Sequence, residues 1–409
     1  MKRLWTILLL LSPGLAFGPG EALRYQGPEV ETARAALEAA RARAGLGSLG
    51  LTPNLEAARN DGTNSWSAGA SWQYSFTAQS DLRLAVGRAE RQFRQAQRDG
   101  PKNALQAHAG LWLAQGRAAG AQKRLEAARA RLQAADQRLG LGAITPSQRE
   151  EVGLALRQAE LGVRQAENGL RAAQAEAARY GLQGGAEART VRFRLLEAAP
   201  ERSPAVQEAQ AALVQAQARL DEAGRALIPQ LNAGASYVGR DLQLQSGLSW
   251  NAQGPGANVS VGSAPSLPTS PVTGQAIGQD QWKLSFGARL TLPLEAIPGL
   301  SQVQAERDAA GLRAQRALED ARLRLTQTRN DAALGLESLD LNRQRLELAR
   351  RQQTLVEARV QTGAASAVEL LEAQAGALEA EATVAQAWQT YLTAVSAYLD
   401  LSDGEWSVE

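Results

Sequence analysis

The chain has 409 residues, with 44 Lys and Arg against 42 Asp and Glu, and its formal net charge of +2 is too balanced to imply a nucleic-acid groove. It has no cysteine and one histidine, His108, which excludes disulfides, iron–sulfur clusters, thiol catalysis and a lipidated N-terminal cysteine. The remaining composition, rich in Ala, Leu, Gln, Glu and Arg, is that of long helices; no nucleophile–histidine pair or metal site can be built, so neither an enzyme nor a cofactor is expected.

Residues 1–16 read as a secretory signal peptide. Lys2 and Arg3 give a positive start, Leu4 to Leu11 and Leu15 to Phe17 are apolar, and Gly14 and Ala16 suit cleavage after Ala16. No later stretch is apolar enough to cross a bilayer as a helix, so any membrane contact must come from strands.

The rest of the chain repeats one plan. Pro28–Leu55 aligns without a gap on Pro204–Leu231, each reading helix, proline, then a β-like stretch. The first repeat, 23–200, is expected to contain that helix, strands over 54–77, a long helix over 80–139, a tip at 139–145, a return helix over 146–182 and a linker. The second, 201–409, is expected to contain a helix, strands and an extracellular loop over 230–293, a long helix over 300–360, a tip at 361–366 and a return helix over 367–401.

Strand Ser65–Phe76 alternates strictly. Trp66, Ala68, Ala70, Trp72, Tyr74 and Phe76 share one face, and Ser65, Ser67, Gly69, Ser71, Gln73 and Ser75 the other. Such alternation over about ten positions suits a transmembrane β-barrel strand, although a soluble sheet with one wet face shows the same period. The concentration of tryptophan on the apolar face favours lipid. In the second repeat, Leu242, Leu244, Leu248 and Trp250 alternate with polar or small residues, as do Trp282, Leu284, Phe286, Ala288, Leu290 and Leu292. The expected lipid-facing aromatics are therefore Trp66, Trp72, Tyr74, Phe76, Trp250, Trp282 and Phe286. A few strands from one chain cannot close a barrel, and open edges are not tolerated in lipid, so the barrel must be shared among subunits.

Each long helix spans about 90 Å at 1.5 Å per residue. In the first, Leu125, Leu132 and Leu139 recur every seven residues, as do Ala121, Ala128 and Ala135, while Gly100-Pro101 should kink or restart it. The second carries two leucine series, one through Leu318, Leu325, Leu339, Leu346 and Val360, the other through Leu334, Leu341, Leu348 and Leu355. The series lie about 200° apart around the helix. Two opposed apolar seams describe a stave packed on two neighbours; an ordinary antiparallel bundle is the plainer alternative.

The tips carry local stop and start signals. Leu139–Ile144 precedes Thr145-Pro146-Ser147-Gln148, and Val360–Ala365 precedes Ser366-Ala367-Val368-Glu369, so each return helix should open on a capping box. The glycines permit left-handed backbone at the turns. Glu369 and Glu372 share one face just past the second tip, either as a cap partner and a solvated charge or as pore-facing acids.

On Pro28–Leu55, Pro204–Leu231, the tip LGLGAIT at Leu139–Thr145 and TGAASAVELLEA at Thr362–Ala373, the chain resembles the TolC-like outer-membrane efflux channels over nearly its whole mature length. The resemblance implies a mainly α fold with membrane β: an internally duplicated, long α-helical coiled-coil barrel, plus β-barrel strands shared across a homotrimer, four strands per chain and twelve in all. It implies a passive exit duct for small molecules or proteins, located in the outer membrane with a large periplasmic helical portion. The implied partners are a periplasmic adaptor and an inner-membrane transporter. It implies that Gly140, Leu141, Gly142, Thr145 and Gly363 form the adaptor-docking tips, and that Glu369 and Glu372 belong to an acidic ring at the periplasmic entrance. Where well-known members latch that entrance with tyrosine and arginine, this sequence has Val360 and Ala365. The alternative from another class is a periplasmic coiled-coil adaptor or structural envelope protein that never enters a membrane.

The second repeat is longer than the first between proline and tip by about half, and the excess must lie between Pro229 and Pro298, with the region 239–281 at its centre. It could be an extra hairpin or a long extracellular loop. The Gly, Pro, Ser and Thr content of Asn251–Gln281 favours the loop, since another strand pair would enlarge the barrel beyond the family plan.

Overall fold

The computed structural model describes residues 16–46, 49–60, 63–74, 76–182, 184–225, 230–239, 242–251, 254–263, 281–289 and 296–408. Residues 1–15, which hold most of the expected signal peptide, lie outside that set, as do Leu290 and Leu292.

In order, the elements are β1 (Ala16–Phe17), α1 (Pro19–Leu23), α2 (Pro28–Leu46), β2 (Leu49–Asn60), β3 (Thr63–Tyr74), α3 (Phe76–Gly140), α4 (Pro146–Arg179) and β4 (Gly185–Ala186). The second half follows with a 3-10 turn (Pro200–Arg202), α5 (Pro204–Arg225), β5 (Gln230–Val238), β6 (Leu242–Asn251), β7 (Gly254–Ser263), β8 (Gln281–Arg289), α6 (Ala296–Gln361) and α7 (Ala367–Ser402). Both repeat helices, α2 and α5, start on their proline, whose fixed φ suits the first helical position and whose missing N–H is unneeded there.

Two compact units result, and each draws on both halves of the chain: one comprises Met1–Glu31, Arg94–Pro204 and Asp320–Glu409, the other Thr32–Phe93 and Ala205–Glu319. The first unit is helical. Its core gathers Leu105, Leu111 and Trp112 of α3, Leu325, Leu339 and Leu346 of α6, and Trp388, Tyr391, Leu392, Val395 and Leu399 of α7. The linker after α4 is tied to this core by polar tips: the Tyr398 hydroxyl donates to the Leu196 carbonyl at 2.6 Å, and the Phe193 N–H donates to the Tyr391 hydroxyl at 3.1 Å.

The two leucine seams of α6 have different fates. Leu325, Leu339 and Leu346 are buried, while Leu334, Leu341, Leu348 and Leu355 stay between 49% and 67% exposed. Pro101 neither breaks nor restarts α3, which runs unbroken through it. One turn earlier, the Arg98 carbonyl accepts from Trp406 Nε1 at 3.3 Å, and the Arg98 guanidinium donates to the Leu399 carbonyl at 3.0 Å. The chain's C-terminal end thus braces the turn in which proline cannot donate a hydrogen bond.

His108 sits inside this core with no exposed surface, packed edge-on against Phe17 and Trp388, each with ring centroids 5.3 Å away. Neither ring nitrogen has a hydrogen-bond partner of good geometry among the described residues. Burial pushes its pKa down to about 4, and the nearby Phe17 backbone offsets a part of that shift. The folded chain therefore refuses a proton that the unfolded chain accepts below about 6.5. Stability contributed by neutral His108 is fully present above that pH and is lost as pH falls from there toward 4, by about 3 kcal/mol in all. We predict that His108→Phe flattens the melting temperature between pH 7 and 5 relative to the parent; an equal slope in both would show that another group titrates.

The second unit contains a six-stranded sheet in the order β2-β3-β7-β6-β5-β8, in which every neighbouring pair is antiparallel. Three expectations change here. The extra length of the second repeat is partly a hairpin, because β6 pairs with β7 from Leu242↔Ser263 to Asn251↔Gly254, where a loop was favoured. Its apolar positions are the small Ala257, Val259 and Val261, which is why composition read as loop; residues 264–280 lie outside the described set. Phe76 is the first residue of α3 and not the last of the strand: the sequence alternation runs through it, but β3 ends at Tyr74 and the helix-forming run that follows takes Phe76. Pro53 lies within β2, opposite Ala70, and does not open the strand; β2 has one neighbour, β3, within this chain.

Candidate channel wall and helix tips

The sheet sorts its side chains by row. Ser71, Asn258, Gly247, Gly234 and Ser285 are consecutive partners across β3, β7, β6, β5 and β8, forming a row of small or polar residues. The adjacent row runs Trp72, Ala257, Leu248, Ala233 and Phe286, and a third runs Ala68, Val261, Leu244, Tyr237 and Trp282. Because side chains alternate between faces, one face is apolar and aromatic and the other is polar. On the polar face, Ser71, Gln73, Asn232, Ser249, Asn258 and Ser285 line a shared groove.

The expected aromatics distribute accordingly. Trp66, Trp250, Trp282 and Phe286 are exposed, Phe286 by 82%, while Trp72 and Tyr74 are partly covered. Trp282 packs on Tyr237 with ring centroids 5.0 Å apart. A row of solvent-facing aromatics on one side of a sheet is what lipid selects for and water does not.

The two helix tips are built alike. In the first, Gly142 takes φ +68, its N–H donates to Leu139 at 2.9 Å, and Ala143 N–H donates to Arg138 at 2.8 Å. In the second, Gly363 takes φ +75, its N–H donates to Val360 at 3.0 Å, and Ala364 N–H donates to Arg359 at 2.8 Å. These paired bonds close each helix through a left-handed glycine. Gly142 is therefore the counterpart of Gly363. Gly140, expected at the same tip, is the last residue of α3. Leu141 projects from the first turn at 83% exposure.

Both return helices open on capping boxes. Thr145 and Gln148 exchange bonds of 2.9 and 3.3 Å, and Ser366 and Glu369 do so at 3.3 and 3.2 Å. Glu369 is thus engaged locally. Glu372 pairs with Arg131 of α3, and further along α7 Glu379 pairs with Arg124, while Glu381 takes Arg350 at 3.1 Å and Trp112 Nε1 at 3.2 Å. Each acid expected at the entrance has a partner within its own chain. Arg131 was not a sequence candidate, because nothing local relates it to a residue so far along the chain.

A sequence model of the outer membrane efflux protein family matches residues 195–400. The chain belongs to this family. Among solved structures, the family member's fold is shared with the Campylobacter jejuni CmeC outer membrane channel (TM-score 0.60, 14% identity, 95% of this chain and 85% of that one). It is likewise similar to the Vibrio cholerae outer membrane protein VceC (TM-score 0.52, 15% identity, 94% and 95%) and to the open state of the Neisseria gonorrhoeae MtrE outer membrane channel (TM-score 0.53, 15% identity, 95% and 88%). No curated protein matches. An outer membrane efflux protein lies in the outer membrane with a periplasmic helical portion, and the alternative of a periplasmic adaptor falls with the assignment. The fold class read from the sequence, mainly α with membrane strands on a duplicated plan, holds.

Proposed function

We propose that three copies of this chain form a closed exit duct, which passes solutes outward after docking by its helix tips to a periplasmic adaptor and an inner-membrane transporter. The observation that carries the reading is the sheet: one face suits lipid, the other suits water, and its outer strands β2 and β8 have no further partner strand among the described residues. Unpaired backbone in hydrocarbon costs several kcal/mol per group, so such a sheet is completed by further copies. The exposed seam Leu334, Leu341, Leu348 and Leu355 supports the same reading, as a stave face left for a neighbouring copy. The duct performs no chemistry; energy for export comes from the transporter.

Fractionation of the envelope and the mass of the detergent-solubilised protein test the assembly. An outer-membrane species of three chains is expected, and a soluble monomer would end the reading.

The tips are tested separately. Gly142→Asp or Gly363→Asp forces a side chain into left-handed backbone, costing about 1–2 kcal/mol at the turn, and charges a surface that offers the apolar Leu141. Adaptor cross-linking and export should fall at least tenfold in an intact trimer. Gly140→Ala is the control, because that position is helical and a Cβ there meets nothing within 4 Å. If cross-linking survives at Gly142 and Gly363, those glycines serve only the local turn.

A further inference from the structure

The hairpin β6–β7 is not an appendage to the sheet. It lies inside it, with β7 paired to β3 on one side and β6 paired to β5 on the other. Its rows continue those of its neighbours: Asn258 and Gly247 complete the polar row between Ser71 and Gly234, and Val261 and Leu244 complete the apolar row between Ala68 and Tyr237. A hairpin merely lying on the sheet would not carry two faces in phase with both flanking strands. Asn251 pairs directly with Gly254, so only residues 252–253 join the two strands. That junction falls at the end of the sheet where β2 and β5 begin, the end at which membrane barrels keep their turns short.

The insertion also preserves closure. Six antiparallel strands leave β2 and β8 running in opposite directions, so β8 of one copy can pair antiparallel with β2 of the next around a rotation axis. An odd insertion would have made that joint parallel. We propose that the hairpin is part of the barrel wall, so that three copies close an 18-stranded barrel in place of the twelve-stranded one implied by the resemblance. Barrel width grows nearly linearly with strand number. At about 4.8 Å between strands and about 40° of tilt, the backbone-to-backbone width rises from roughly 24 Å to roughly 36 Å. The wall it adds to the lumen is made of small and polar residues, Gly256, Asn258 and Ser260 on β7 with Gln243, Gln245, Gly247 and Ser249 on β6, which take up little of the gain. The outer exit of this protein then imposes little size selection on what it passes, leaving that role to the helical part of the path. This inference rests on the three-copy duct proposed above.

The chain contains no cysteine, so cross-links can be placed cleanly. Ser71→Cys with Asn258→Cys puts thiols on directly opposed residues of β3 and β7, a spacing that a disulfide spans. In the trimer from outer membranes, both thiols should be lost with no change in assembly mass. In planar bilayers, deletion of residues 242–263 should reduce the diameter of the largest neutral polymer admitted from the extracellular side by about a third. An intact trimer that keeps both thiols free would remove the hairpin from the wall and overturn the inference, leaving the duct itself standing. An unchanged polymer limit in a trimeric deletion variant would do the same. Absence of a trimer in the parent chain would instead refute the three-copy duct, and the strand count with it.

Discussion

Arg98→Met should lower the stability of the helical unit by about 3–5 kcal/mol, the largest single effect expected outside the membrane. Arg98 and Asp403 form an ion pair at 3.0 Å with only 9% and 7% of their side chains exposed. Removing one partner leaves a desolvated charge, and Arg94, which also reaches Asp403 at 3.0 Å, is about half exposed and supplies a weaker replacement. Asp403 is also the only non-glycine residue with positive φ among those described, at 52°, so the pair holds a backbone conformation that most side chains resist. Thermal unfolding of the detergent-solubilised protein measures the effect. Lys102→Met, which breaks a more exposed pair with Asp400, should cost no more than about 1 kcal/mol. The combined change of Arg98→Met and Asp403→Asn should recover much of the loss, since the only charge it leaves unpaired is that of Arg94, which is about half exposed and can be hydrated. Equal effects at Arg98 and Lys102 would mean that the buried pair is not specially coupled.

Ala70→Arg should cost about 2–4 kcal/mol of barrel stability, whereas Ser71→Arg should be tolerated. The two residues are neighbours on β3, but their rows differ. Ala70 lies opposite Val259, beyond which the row passes through Ser246 and Ala235 to Leu284; Ser71 lies opposite Asn258 in the polar row. An arginine on the first face meets hydrocarbon, and on the second it meets water. Folded trimer recovered from the membrane fraction gives the readout, and indifference at both positions would contradict a lipid-facing row.

Much of this arrangement was legible where the signal is local. The prolines that open α2 and α5, the two capping boxes and the alternation of β3 each depend on residues within a turn or two of one another. The misreadings have a common physical cause. β7 was read as loop because Gly254-Pro255-Gly256 and the small apolar residues after it look like loop until β3 and β6 supply partners. At the first tip both Gly140 and Gly142 satisfy the sequence rule, and only the backbone, left-handed at Gly142, distinguishes them. Nothing local to His108 marks it as a core residue, because its enclosure by Phe17 and Trp388 comes from opposite ends of the chain. Glu372 looked unattached because Arg131 is 241 residues away.

The open seam of α6 bears on how the protein comes into being. A lone chain in the periplasm would present Leu334, Leu341, Leu348 and Leu355 to water along three successive heptads, a stripe that can be quenched by association and not by further folding of the same chain. Folding and assembly then share one free-energy balance. Dilution should lower the apparent melting temperature of the helical unit, and at low expression the newly exported chain should depend on holding factors and be lost to periplasmic proteases before it finds its neighbours.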